Sequence, residues 1–254
     1  MTTGPQPIDI ETRSLLIEEI VERARAVQGD NILALALYGS TARDDVGPYS
    51  DIEMMCVLRG EGTWQNTIWV TGPWKAEVNF ISQDIMMRRA SEVKGDWSIS
   101  HGKFLRIQTI SDPEKFYSKM PEAVFSHPPS IYNDAIRSVI TVDIYEWIGK
   151  LRNARLRQQT QLLPRLCLAM VQFGEQIIGL DNRYLYVTAA TSLEESLQLA
   201  RLPDGYEEIC RMVMSGKLDD PAKIDAACEA FWNGVVEWAE ERQIEYVTNE
   251  RIPF

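Results

Sequence analysis

Two carboxylates, Asp51 and Glu53, are spaced two residues apart at the start of an apolar stretch. Because side chains two residues apart on a β-strand point to the same face, both can meet one ligand. A third acid, Glu77, lies in a later run that is typical of a strand. Mg²⁺ prefers hard oxygen ligands, and three nearby carboxylates would repel one another without a cation. The pattern therefore predicts a magnesium site formed by Asp51, Glu53 and Glu77.

A turn of small residues precedes these carboxylates and is suited to phosphate groups. Gly39 lets the backbone approach a ligand, and Ser40 offers both its N–H and its hydroxyl group. Thr41 is predicted to begin a short helix whose N-terminus favours an anion, and Arg43 can neutralise a phosphate. We predict that these four residues, with Ser50 as a neighbour, bind the phosphates of a nucleotide.

Each of these patterns is weak by itself, because Gly-Ser is common in turns and Asp-x-Glu is often a solvated strand face. The combined order of apolar strand, Gly-Ser, Arg, Asp-x-Glu and a further Glu is much rarer. It indicates nucleotidyl transfer, in which a nucleophile attacks the α-phosphorus of a nucleoside triphosphate and pyrophosphate leaves. Catalysis of such a step depends mostly on positioning and on electrostatic stabilisation of the transition state.

The elements that must position these residues fall into two groups. Up to residue 127, apolar runs of strand length alternate with short helical patterns, and His127-Pro128-Pro129 then interrupts the chain. After this break, long amphipathic helices dominate. We predict an α+β protein, with a nucleotidyltransferase domain built on a mixed sheet at 1–127 and a helical bundle domain at 128–254.

Local signals place the individual elements. Asp9 can cap a first helix, with Leu16, Ile20, Ala24 and Val27 on its apolar face. The predicted strands are 31–38, 51–58, 67–70 and 75–81, and the predicted helices are 9–27, 83–93, 113–120, 131–154, 163–180, 206–216 and one from 221 onward.

Composition limits the class of protein. The formal net charge of −11 argues against a nucleic-acid partner, because polyanion binding depends on a basic surface, and it suits a polycationic small molecule. No apolar window is long enough to span a membrane, and residues 1–9 lack the pattern of a secretory signal. The four cysteines are scattered. We expect a cytoplasmic protein with reduced thiols that binds neither membranes nor nucleic acids.

The order of Gly-Ser, Asp-x-Glu and Glu resembles the polymerase-β-type nucleotidyltransferase superfamily. Longer matches lie at 37–43, 44–57, 74–80, 100–102, 149–153, 213–216, 231–234 and 251–254. These stretches resemble the kanamycin nucleotidyltransferase family, whose members are aminoglycoside 4'-O-nucleotidyltransferases. This resemblance covers nearly the whole chain and implies a polymerase-β-like first domain and transfer of AMP from MgATP to the 4'-hydroxyl of kanamycin- or tobramycin-type drugs. It also implies a homodimer with active sites at the subunit interface.

The resemblance also implies roles for two residues of the first long helix after the break. Glu146 corresponds to the general base, and Lys150 corresponds to a lysine that meets the phosphates. Residues four apart share a helix face, although such a pair alone is typical of a surface ion pair. Val142-Asp143 stands where the family enzyme has two adjacent acids. We expect this departure to affect substrate range and regiochemistry, not the reaction class.

An aminoglycoside carries several ammonium groups, which carboxylates attract. Lys75 either contacts a ligand hydroxyl or forms a surface ion pair. Two alternatives remain: the same chemistry on another small-molecule or protein hydroxyl, and a nucleotide-binding module without catalysis. The carboxylates predicted to line the substrate site are Glu53, Glu61, Glu77, Asp96 and Glu146.

Overall fold

The computed structural model describes residues 4–43 and 45–253. Residues 1–3 lie outside the described residues, and so do Asp44 and Phe254, which belong to matched motifs. The chain divides into two compact units. The first runs to Glu92 and resumes at Lys103–Ser126, and the second takes Val93–Gly102 and the chain from His127 onward. The segment Val93–Gly102 therefore packs with the second unit, whereas the sequence prediction assigned it to 1–127; the domain boundary itself stays a prediction.

The first helix, α1 (Ile10–Gln28), has the predicted caps. The N–H group of Thr12 donates to the Asp9 carboxylate at 2.7 Å, and the helix ends at Gly29, whose φ of 52° suits a glycine. Val27 was predicted to face the core but is exposed. Ile20 and Ala24 of the predicted face are buried, and Val21, which was not predicted, joins Ile20 in the cluster on the sheet.

Within the described residues, the first unit contains a five-stranded sheet in the order β3-β4-β2-β1-β5. The strands β2 and β4 are parallel and the other neighbouring pairs are antiparallel, so the sheet is mixed, as predicted. The edge strand β5 was not predicted, because it is only four residues long and half of them are exposed. The strands are β1 (Ile32–Tyr38), β2 (Ile52–Leu58), β3 (Trp64–Thr71), β4 (Trp74–Ser82) and β5 (Gln108–Ser111).

Alternation along the strands separates the two faces of this sheet. One face packs on α1 and is apolar, with Leu37, Met54 and Val78 in a single buried cluster. The residues adjacent to Leu37 and Met54, which are Tyr38 on β1 and Glu53 on β2, must then project to the opposite face. The helix α1 therefore covers one face and leaves the polar residues on the other.

Short helices follow the main strands: α2 (Gln83–Ala90), α3 (Trp97–Ser100) and α4 (Met120–Phe125). The helix predicted at 113–120 is wrong. Lys115 has a left-handed φ of 55°, and a 3₁₀ turn at Phe116–Lys119 precedes α4. The side chain of Asp112 accepts hydrogen bonds from the N–H groups that begin this turn, at 2.7 and 3.0 Å, which delays the helix.

The second unit consists mainly of helices. Its predicted helix at 131–154 is continuous from Pro129 to Leu156, but a π-helical turn, Val139–Ile144, separates its two α-helical parts. The last helix, which was predicted from 221 onward, is α10 (Pro221–Glu241), and its residues Ile224, Cys228 and Phe231 are buried in the core. No helix in the described part of the chain is both long and apolar enough to cross a membrane. The helices are α5 (Pro129–Ser138), α6 (Tyr145–Leu156), α7 (Leu163–Asp181), α8 (Ser192–Ser196), α9 (Tyr206–Met214) and α10 (Pro221–Glu241).

One carboxyl group of the second unit lies in the core. Glu175 on α7 is only 5% exposed, and its Oε2 atom has no hydrogen-bond partner among the described residues. Burial raises the pKa of Glu175 to about 7, although a hydrogen bond with Ser192 opposes the shift. The neutral acid is therefore favoured in the folded chain.

We expect the free energy of unfolding to fall between about pH 5 and pH 8 because of Glu175. Its neutral form contributes stability that is complete below the ordinary pKa of 4.5 and is lost as pH rises through about 7. A shift of this size corresponds to roughly 3 kcal/mol. In urea denaturation at pH 5.5 and 8.5, Glu175→Gln should remove this pH dependence, whereas the exposed control Glu237→Gln should keep it. Parallel pH curves for wild type and Glu175→Gln would contradict this assignment.

Candidate active site

The sheet brings two of the predicted carboxylates to adjacent positions. Tyr38 on β1 lies opposite Glu53 on β2, and Glu53 lies opposite Glu77 on β4. Residues opposite each other on paired strands project to the same face. The three side chains therefore form a row across three strands, on the face that α1 leaves uncovered.

The carboxylate of Glu53 lies directly against Gly39. The backbone of Gly39 has a φ of +68°, which favours glycine. A Cβ atom added at this position would lie 1.7 Å from Oε2 of Glu53. The sequence predicted that Gly39 admits a phosphate. In the structure, the space that its missing side chain leaves holds the carboxylate of Glu53.

The charges around Glu53 oppose its ionisation. Burial raises the pKa of Glu53 above its ordinary value, and the negative charges of Asp51 and Glu77 raise it further. The cations Lys75 and Arg43 act in the opposite direction. The three predicted carboxylates therefore lie close enough to repel one another, and the donor set suits a hard divalent cation.

Asp51 is paired with a lysine. Its Oδ2 atom lies 2.6 Å from Nζ of Lys75, and this hydrogen bond raises the pKa of Lys75. No group of three His, Cys, Asp or Glu side chains within residues 4–43 and 45–253 is arranged to hold a metal ion. The contact with Lys75 engages Oδ2 of Asp51, so a metal ion held by Asp51, Glu53 and Glu77 would share this carboxylate with Lys75 or replace the lysine. Of the two alternatives predicted for Lys75, a contact with a ligand hydroxyl or an ion pair, the structure contains the ion pair.

Glu77 is held by neutral donors. Its Oε1 atom accepts hydrogen bonds from the Tyr38 hydroxyl at 2.8 Å, from Asn79 Nδ2 at 2.7 Å and from Asn66 Nδ2 at 3.1 Å. Sequence reasoning missed all three donors. Asn79 carried a signal, because it follows Glu77 by two residues on one strand, but the positions of Tyr38 and Asn66 depend on strand register.

A cavity of about 240 Å³ opens beside this row, within the first unit. The guanidinium group of Arg89 stacks over the ring of Trp64 at 4.1 Å on its wall. The cavity thus presents carboxylates, amides and aromatic surface together with the cations Arg89 and Lys103, a mixture that can orient a polar ligand. Its lining includes Glu53, Glu77, Asn66, Asn79, Trp64 and Arg89.

The turn after β1 is a short 3₁₀ helix, Gly39–Arg43, which begins two residues before the predicted start at Thr41. The Thr41 hydroxyl donates to the carbonyl oxygen of Asp51 at 3.4 Å, which ties the turn to the start of β2. Arg43 lies 3.7 Å from the carboxylate of Asp45, and its Nε atom is buried without a partner among the described residues. This guanidinium group retains capacity for a ligand.

Three other predicted site residues, Ser50, Glu61 and Asp96, are not part of this group of carboxylates. The Ser50 hydroxyl accepts a hydrogen bond from the N–H of Gly47 at 3.1 Å, within the loop before β2. Glu61 is exposed in the loop after β2. Asp96 is exposed in the second unit at the start of α3. The described structure thus groups Asp51, Glu53, Lys75 and Glu77 but does not add Glu61 to them.

Glu146 and Lys150 lie on α6 of the second unit. Their side chains are exposed and form an ion pair of 2.6 Å, and Nζ of Lys150 lies 4.5 Å from the ring of Trp147. One turn earlier, Asp143 has a raised pKa, first because it is partly buried and then because Glu146 is negative. This geometry fits an ordinary exposed ion pair, and it also fits a general base, Glu146, whose side chain is positioned by Lys150.

Comparisons with known proteins extend these observations. Residues 114–245 match a family model described as KNTase C-terminal domain. Over 251 residues, which are 99% of either chain, the sequence is 39% identical to an aminoglycoside nucleotidyltransferase (4') of Staphylococcus aureus and to another of Bacillus sp. The fold is similar to a nucleotidyltransferase-like protein from Exiguobacterium sibiricum, with a TM-score of 0.54, 7% identity and coverage of 91% of this chain and 75% of that one. The predicted fold class and the predicted resemblance are confirmed.

The contact between Gly39 and Glu53 can be tested by stability measurements. Gly60 is a matched control, because it has a φ of +82° and open space around it. We expect Gly60→Ala to lower the free energy of unfolding by roughly 1 kcal/mol, the cost of left-handed backbone. Gly39→Ala should lower it by more, because Glu53 must move. In a Glu53→Ala background the extra loss should disappear, and an equal loss with and without Glu53 would refute the contact.

Proposed function

Because the chain belongs to the aminoglycoside nucleotidyltransferase (4') family, we propose that it transfers a nucleotidyl group to an aminoglycoside. In detail, we propose that AMP passes from MgATP to the 4'-hydroxyl of kanamycin- and tobramycin-type drugs and that pyrophosphate is released. The observation that carries this proposal is the row of carboxylates packed against the Gly39 turn. Another small-molecule or protein hydroxyl is not favoured as acceptor, because both full-length relatives are named for aminoglycosides.

Membership of a nucleotidyltransferase family suggests a nucleotide co-substrate and a divalent metal, which we propose to be ATP and Mg²⁺. Asp51 and Glu53 would hold the metal with assistance from Glu77, because Glu77 lies opposite Glu53 in the sheet and the negative charge of Asp51 acts on Glu53. When bound, the metal would neutralise phosphate charge and the repulsion among the carboxylates. Lys75, which pairs with Asp51 in the described structure, would then be available to a hydroxyl group of the substrate.

The turn after β1 is our candidate for the phosphates. Gly39, Ser40 and Thr41 would present backbone and hydroxyl groups, and Arg43 would add a guanidinium group whose Nε has no partner among the described residues. Positive charge at this place would stabilise the departing pyrophosphate. Ser50 and Lys150 would complete the nucleotide-binding set.

Glu146 is our candidate for the general base. It would take the proton of the 4'-hydroxyl as that oxygen forms a bond to the α-phosphorus and the bond to the pyrophosphate oxygen breaks. Its exposed position and its ion pair with Lys150 support this role, since both groups are accessible to a ligand. The substrate ammonium groups would meet Glu53, Glu77, Asp96 and Glu146, and the net charge of −11 would attract them.

The remaining proposals concern the oligomeric state and the cellular location of the enzyme. We propose a homodimer with active sites at the subunit interface, on the strength of the family resemblance. We also propose that it acts in the cytoplasm, where ATP is available. The four buried free cysteines support a reducing compartment.

Mass spectrometry tests the reaction directly. Tobramycin incubated with the protein, ATP and magnesium should gain the mass of one AMP group. Asp51→Asn should abolish this gain, because it removes a proposed metal ligand, whereas Asp30→Asn, an exposed change in the same unit, should not. If no aminoglycoside gains mass and no pyrophosphate appears, the proposed function is wrong and a nucleotide-binding module without catalysis becomes the better interpretation.

The base is tested by Glu146→Gln, which removes the acceptor of the proton but keeps the size of the side chain. We expect turnover to fall by about 10²- to 10⁴-fold, the usual contribution of a general base, with little change in ATP affinity. Glu207→Gln is a matched control, because Glu207 also forms an exposed ion pair four residues along a helix, with Arg211. Wild-type turnover in Glu146→Gln would show that another group is the base.

A further inference from the structure

We propose that Tyr38 is a positioning residue for Glu77: it holds one carboxylate oxygen so that the other oxygen is presented to a cation in the cavity. This inference deepens the proposed function, because it rests on that function for the identity of the cation. Tyr38 is not itself expected to contact substrate or metal. Its effect would pass through Glu77.

The hydrogen bonds of Glu77 are strongly asymmetric. Its Oε1 atom accepts from Tyr38, Asn79 and Asn66, all within 3.1 Å. Its Oε2 atom accepts no hydrogen bond from any of the described residues. A carboxylate oxygen has about two lone pairs, so Oε1 is saturated while Oε2 keeps its full capacity. Glu77 lines the cavity, and Oε2 is the atom that can serve a ligand there.

The direction of the Tyr38 hydroxyl proton is also determined. Asn79 Nδ2 donates to the Tyr38 oxygen at 2.9 Å, so this oxygen already acts as an acceptor. Its own proton is then directed to Glu77 Oε1 at 2.8 Å.

Tyr38 is suited to hold Glu77 because its side chain is buried and is long enough to cross the neighbouring strand. Its side chain is only 5% exposed. It begins on β1 and reaches across β2 to a residue of β4, so its hydroxyl links the outer two of three adjacent strands. Without this bond, the repulsion between the carboxylates of Glu53 and Glu77 would favour other rotamers of Glu77. Asn66 is a weaker support, because it is exposed on the edge strand β3.

The ligand of Oε2 is a cation, either a divalent metal ion or an ammonium group of the acceptor. Tyr38→Phe removes only the hydroxyl group and keeps the ring. Tyr117→Phe is the matched control, because Tyr117 is also a buried tyrosine of the first unit and its hydroxyl donates to the Met55 carbonyl. Titration calorimetry with Mn²⁺ alone and with tobramycin alone then distinguishes the two sources of positive charge.

We expect Tyr38→Phe to weaken one of these two affinities by about tenfold, the usual effect of losing one hydrogen bond to a charged group. Tyr117→Phe should leave both affinities unchanged. Because Tyr38 acts through Glu77, Tyr38→Phe should cause no further loss in a Glu77→Gln background. Additive losses in this double-mutant cycle, or unchanged affinities for both ligands in Tyr38→Phe, would overturn the proposal.

Crystal structures without ligands give a test that does not depend on the proposed function. Glu77 should occupy one conformer in the wild type and more than one in Tyr38→Phe. A single unchanged conformer in the variant would also overturn the positioning role. If the wild type bound neither Mn²⁺ nor tobramycin, the proposed function would fail, and the conformers of Glu77 would still decide the role of Tyr38.

Discussion

The burial of the Glu53 carboxylate against Gly39 is the constraint on which the site depends. A partly buried carboxylate next to two other acids is destabilised by desolvation and by repulsion, and the pKa of Glu53 is accordingly raised. The position is possible only because Gly39 has no side chain, since a Cβ atom would lie 1.7 Å from Oε2. The left-handed turn therefore fixes the position of the Glu53 carboxylate. The charges of Asp51, Glu77, Lys75 and Arg43 then act on that carboxylate.

The two acids beside Glu53 are held in different ways, and the difference matters for function. Asp51 is paired with the cation Lys75, and an exposed ion pair of this kind contributes little stability, so another cation can replace it. Glu77 is held by three neutral donors that leave its charge uncompensated. The cation paired with Asp51 can thus be exchanged, whereas the carboxylate of Glu77 is fixed in position. This arrangement can recruit a metal ion without losing the geometry of the cavity.

Most of the fold could be predicted from sequence, because its signals are local. The cap at Asp9 and the apolar run of β1 depend on neighbouring residues alone. The helix at 113–120 was predicted wrongly, because side-chain bonds from Asp112 delay it. In the site, Asp51 and Glu53 carried a visible spacing, but the contact between Tyr38 and Glu77 joins residues of two strands that are not adjacent. Such a contact depends on strand order and register, which a single sequence does not specify.

Each group of proposed functional residues follows an irregularity of the backbone. The left-handed turn at Gly39 precedes the carboxylates of the first unit, and a π-helical turn precedes Glu146 in the second unit. Both irregularities can be recognised in the sequence. A glycine at position 39 indicates the left-handed turn. In the long helix, the apolar residues Val139 and Ile144 are five positions apart, whereas the face of an α-helix repeats every three or four residues. The π-helical turn at these residues absorbs the extra residue, and both side chains stay buried. The turn thereby sets the face on which α6 presents Glu146 to solvent.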